Sequence, residues 1–83
     1  MNSNEYWKEV AEGVLQVRAG AVSVIAVENV VKTGRRVKLT GTLKAKEYPD
    51  AELFFMTLER QTELGWVPRD VCIKLHGGKN AMI

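Results

Sequence analysis

Histidine occurs once, at His76, and cysteine once, at Cys72. A zinc site needs three or four ligands, so a lone histidine beside Gly77 and Gly78 holds no metal by itself. Cys72 stands between Val71 and Ile73, and apolar surroundings keep a thiol protonated and inert. The chain has no Gly-rich phosphate loop, no nucleophile elbow and no metal-ligand spacing. The acidic pair Glu59 and Glu63 flanks a turn and reads as solvated. These residues point to a chain that is not an enzyme and carries no cofactor or metal.

The chemistry that remains is cationic. Between positions 35 and 46 the sequence reads RRVKLTGTLKAK. A strand has a period of two, so Arg36, Lys38, Lys44 and Lys46 would share one face and Val37, Leu39, Leu43 and Ala45 the other. Lys32 and Arg35 would sit beside them at a hairpin tip. Thr40 and Thr42 lie between the charges and can donate hydrogen bonds to phosphate. Such a row can track a nucleic-acid backbone and release its counterions. Lysines on an outer strand also serve simply as a solvated face that blocks aggregation. Single-stranded ligands further need aromatic platforms for their bases. Tyr48, in the turn after the basic strand, and Trp66, in the next strand pair, are the candidates, although a Trp more commonly buries much of its area in a core.

The elements that would position these groups follow from pattern. Trp7, Val10, Ala11 and Val14 recur at helical spacing, and Asn2 or Ser3 can cap the start, which predicts a helix over 3–12 that stops at Gly13. From Val14 the pattern turns to strands. Val14 to Arg18 is one candidate, followed by a turn at Ala19-Gly20. Ala21 to Lys32 is β-branched, and its first half is apolar on both faces. Thr33-Gly34 reads as a two-residue turn, which sets Val30 against Val37, Glu28 against Leu39 and Val24 against Leu43, with Glu28 the misfit on an apolar face. Pro49 makes 47–50 a turn. Ala51 to Leu58 is a further strand, 61–63 a turn, and Leu64 to Val67 a short strand. After Pro68 the period is ambiguous. Pro68 at a first helical position and Gly77 as a stop favour a short helix, while Val71, Ile73 and Leu75 alternate as a strand would.

Composition bounds the rest. The chain has 83 residues, 46% of them hydrophobic and 27% charged, which are globular values for one domain. We expect that domain over 1–76, with 77–83 a loose tail. So small a core leaves little room for an enclosed pocket. One cysteine excludes an intrachain disulfide and implies a reducing, cytoplasmic setting. The stretch Ala19 to Val27 is too short to span a bilayer, and the first ten residues lack the apolar run of a signal peptide, so no membrane partner is expected.

Tyr48-Pro49-Asp50-Ala51 and Gly65-Trp66-Val67-Pro68-Arg69-Asp70 form a pattern that resembles the HIRAN domain. The similarity covers residues 44–75. It implies a small β-barrel with one or two helices, the second starting at Pro68. It also implies binding of single-stranded DNA or DNA ends as an accessory to helicases or nucleases, with Tyr48 and Asp50 in the ligand-contacting turn.

The expectation is an α+β, mostly β domain: a small five-stranded barrel-like sheet with an N-terminal helix and a short C-terminal helix. The expected contact set for nucleic acid is Lys32, Arg35, Arg36, Lys38, Lys44, Lys46, Tyr48, Trp66 and Arg69. The competing expectation is a protein-interaction or self-assembling small module, such as a phage-type inhibitor or structural subunit, with a homodimer or a protein partner, because the apolar strands 21–27 and 53–58 need cover.

Overall fold

A computed structural model of the chain describes residues 3–20, 22–46, 49, 51–63, 65–75 and 78–83. Helix α1 (Ser3–Ala19) is followed by β1 (Val22–Thr33), β2 (Arg36–Ala45), β3 (Ala51–Thr62), β4 (Gly65–Leu75) and β5 (Asn80–Met82). Each strand pairs antiparallel with the next. The protein is therefore mostly β with one N-terminal helix, and its long strands curl into a small barrel. Helix α1 packs on both β1 and β4. Those strands lie three places apart in the sheet order, so the helix bridges the barrel's first and last long strands. Leu15, Val24, Leu39, Met56, Leu58, Val71 and Ile73 are fully buried and form the centre of the core. Among the described residues no helix is long and apolar enough to cross a membrane.

Helix α1 is longer than its sequence signals suggest. Gly13 does not stop it, and Val14 to Arg18, expected as a strand, is helical. Trp7, Ala11, Val14 and Leu15 continue the helical spacing across Gly13, and all are buried. Burying a Val or Leu side chain contributes about 1.5–3 kcal/mol, which outweighs the roughly 1 kcal/mol that a mid-helix glycine costs. The helix ends instead at Gly20, which takes φ +84° and donates its N–H to the Gln16 carbonyl at 3.1 Å.

The C-terminal half departs further. The expected helix after Pro68 is absent, and 65–75 form one continuous strand, β4. Val71 and Ile73 point into the core, so the period of two prevails. Pro68 fits a strand because the ladder breaks there. Leu58 pairs with Pro68 and Gln61 with Trp66, which leaves Glu59 and Arg60 opposite Val67 alone. Proline has no N–H to give, and an irregularity of this kind accommodates it. Asn80–Met82, within the stretch expected to be loose, pairs with Cys72–Lys74. Cys72 is a free thiol buried beside it.

The first hairpin corrects its expected register by the same device. Thr33 pairs with Arg36, so Gly34-Arg35 form the turn, and Val30 pairs with Leu39 rather than with Val37. Gly34 takes φ +61°, as such a turn requires. Irregularities at Ile25 and Glu28 then shift the ladder, and Val24 does meet Leu43. The shift ejects Glu28 from the apolar face, where it would have been an unpaired buried charge. Glu28 is exposed, and its Oε1 accepts a hydrogen bond from Thr42 Oγ1 at 2.9 Å. Val22, Val24 and Val27 face the core, whereas Ile25 is exposed. Gly41 lies under this kink. A Cβ there would collide with the Ala26 carbonyl oxygen and lie 2.9 Å from Val27 Cα.

Candidate nucleic-acid interface

The outer face of β2 is built by strict alternation. Val37, Leu39, Gly41, Leu43 and Ala45 are buried, while Arg36, Lys38, Lys44 and Lys46 are exposed, with Thr40 and Thr42 half-buried between them. Same-face neighbours along a strand are spaced about 6.5–7 Å apart, so the four cations form a row. Across the sheet, Lys38 is flanked by Val31 and Thr57 and Lys44 by Ser23. Neither lysine forms an ion pair with a described residue.

At the hairpin end the row runs into a cluster of arginines. The bulge opposite Val67 turns Glu59 and Arg60 out together beside the start of β2. Glu59 Oε1 lies 3.9 Å from Arg36 Nη2 and 3.9 Å from Arg69 Nη1. These are loose, half-exposed pairs, which contribute little to stability. Arg35, Arg36, Arg60 and Glu59 line a shallow depression of about 360 Å³. One carboxylate therefore sits among four guanidinium groups. Arg60 was not legible as a site residue, because only the bulge brings it beside Arg36. Pro68, its near-opposite on β4, is the sequence signal for that break.

The remaining expected contacts divide. Lys38, Lys44, Lys46, Arg35, Arg36 and Arg69 are all exposed. Lys32 belongs elsewhere. It pairs with inward-facing Val37, and its Nζ sits 5.3 Å from the centre of the Trp7 ring. That places it over the barrel end in a cation–π contact and takes it out of the row. Trp66 is half-buried, with its ring 5.4 Å from that of Trp7, so it is part of the core margin rather than a free stacking platform. Tyr48 and His76 lie outside the described residues. Carboxylates are interspersed on the outer face, with Glu52 opposite Thr42 and Lys74, and Asp70 opposite Thr57. Among the described residues no group of three or more His, Cys, Asp or Glu side chains is placed to hold a metal ion. No family model, no curated protein and no solved structure matches this chain.

Proposed function

We propose that the protein is a non-enzymatic module that binds single-stranded DNA or DNA ends through the outer face of β2 and the adjoining arginine cluster. The observation that carries this reading is the set of exposed cations Arg36, Lys38, Arg60 and Arg69 at the hairpin end, with Lys44 farther along β2 beyond Thr40 and Thr42, and with Glu59 the one carboxylate in ion-pair reach of any of them among the described residues. Arg35, Arg36 and Arg60 open onto a shallow depression that a phosphate can enter, and guanidinium groups bind phosphate oxygens bidentately. Thr40 supplies a neutral donor along the same track, whereas the Thr42 hydroxyl donates to Glu28. The resemblance to the HIRAN domain, whose implied helix at Pro68 is here part of strand β4, implies the same ligand class. A cytoplasmic setting accords with it.

Fluorescence anisotropy of a labelled single-stranded oligonucleotide tests the proposal. With about five phosphate contacts, raising salt from about 50 to about 200 mM weakens binding roughly 100-fold, from the counterion slope for single strands. Absence of binding at the lower salt, or an affinity indifferent to salt, contradicts the proposal.

A further inference from the structure

Four of the chain's five arginines meet at one end of the barrel. They are Arg35 in the first hairpin turn, Arg36 at the start of β2, Arg60 near the end of β3 and Arg69 in β4. All four are exposed. The lysines of this face are sorted differently. Lys38, Lys44 and Lys46 run along β2 away from that end, and none lines the depression formed by Arg35, Arg36, Glu59 and Arg60. The two cations do different work. A lysine is a point charge, suited to following a chain of phosphodiesters, whereas a guanidinium offers five N–H donors in a fixed fork. Four forks at one point exceed what a single phosphodiester can use, with its two free oxygens and one charge. Four like charges also repel one another, and Glu59 offsets little of that. Its Oε1 has Arg36 Nη2 and Arg69 Nη1 at 3.9 Å each, beyond hydrogen-bond length. The carboxylate thus holds two forks toward one point without using their donors. Asp70 stands beyond Thr57 from Lys38 and, among the described residues, forms no ion pair with any of these cations.

We propose that the arginine cluster binds the terminal phosphomonoester of a nucleic-acid strand, while the β2 lysines hold the diesters that lead up to it. This rests on the reading of the β2 face as a nucleic-acid interface. A phosphomonoester carries a charge of about −1.5 to −2 near pH 7 and three strong acceptor oxygens, against one charge for each internal phosphate. It therefore engages more of the four forks, neutralises more of their charge, and displaces Glu59 from between Arg36 and Arg69. Position agrees with chemistry. β2 begins at the Gly34-Arg35 turn, and the next cation beyond that tip, Lys32, is directed to the Trp7 ring. The track stops where the arginines gather, as it must at a strand terminus. The site is chiral, so one strand polarity fits the lysines and only that strand's leading end meets the cluster. The break in the β3–β4 ladder that carries Arg60 to Arg36 is the local device, since bulges re-aim side chains beside binding sites.

Fluorescence anisotropy on three versions of one internally labelled single-stranded DNA is the test: 5′-phosphorylated, 3′-phosphorylated, and hydroxyl at both ends. One phosphorylated end is expected to bind roughly tenfold tighter than the hydroxyl-ended strand at ~0.1 M salt, since about 1.5 added charges contribute about fivefold each. The other phosphorylated end stays within about twofold of the hydroxyl-ended strand, because it lies away from the cluster. Arg35→Ala with Arg60→Ala removes the preference, whereas Lys44→Ala weakens all three strands alike and keeps it. Equal affinity for the three strands, or equal gains at both ends, overturns the proposal and leaves the β2 reading standing. So does a preference that survives Arg35→Ala with Arg60→Ala in a protein whose circular dichroism spectrum is unchanged. A phosphoserine peptide that competes as well as the phosphorylated strand also overturns it, because the lysine track would then contribute nothing. Failure of all three strands to bind overturns both readings.

Discussion

Lys38→Glu combined with Arg60→Glu lowers affinity for a single-stranded oligonucleotide by about 100-fold at ~0.1 M salt, with no change in fold. Each lost phosphate contact removes about 0.7 from the slope of log K against log salt, or roughly fivefold in affinity at that concentration, and reversal adds repulsion worth roughly a further twofold. Two reversals then multiply to about two orders of magnitude. Both side chains are exposed and neither is paired with a described carboxylate, so the fold loses little. Lys8→Glu combined with Lys79→Glu changes net charge equally, but away from the basic face. That variant loses no more than about threefold, through weaker long-range steering. Glu59→Gln acts in the opposite direction and strengthens binding severalfold, because it frees Arg36 and Arg69 for phosphate. Anisotropy titrations on all three variants separate a localised interface from a general charge effect. Equal losses in the two double variants contradict the localised interface.

Gly41→Ala lowers the melting temperature by more than about 12 °C. Gly41 is buried in mid-strand, and a methyl group there meets backbone of β1, namely the Ala26 carbonyl oxygen and Val27 Cα. Backbone cannot yield as a side-chain tip can, so the strands must separate or the Ile25 and Glu28 irregularities must be lost. Overpacking of this kind costs about 3 kcal/mol or more. A domain this short has roughly 4–12 kcal/mol of stability in all, and each kcal/mol shifts its midpoint by about 4–8 °C. Gly34→Ala is the comparison. Gly34 has φ +61° and open space around it, so alanine there meets only backbone strain, about 1–2 kcal/mol. Thermal denaturation of the two variants checks the ordering. Similar melting temperatures would show that β1 and β2 do not approach so closely at Gly41.

The strand content and the basic row were readable because both depend on a period of two over long segments. The alternation from Val37 to Ala45 puts every apolar residue inside and every cation outside, as the pattern requires. What escaped the sequence lies where tertiary burial overrides local signals. Gly13 and Pro68 are the strongest punctuation marks in their neighbourhoods, yet neither ends an element. The helix runs through Gly13 because Val14 and Leu15 have core to fill, and β4 runs through Pro68 because β3 bulges opposite it. The turn at Gly34-Arg35 lies one residue later than expected, and only the expulsion of Ile25 and Glu28 reconciles it with the pairing of Val24 and Leu43. Those bulges are invisible in any local window. They nonetheless place the site, since the bulge opposite Val67 is what presents Arg60. Lys32 shows the reverse error: it sits near the row in sequence, but the true register turns it toward Trp7.

The most direct test of the nucleic-acid face is an amide chemical-shift titration of isotopically labelled protein with a single-stranded oligonucleotide at low salt. Shifts concentrated at 35–46, 59–60 and Arg69 are the predicted result, with 6–17 of the helix unmoved. Shifts confined to the helix and the 65–68 segment, or none at saturating oligonucleotide, would contradict it.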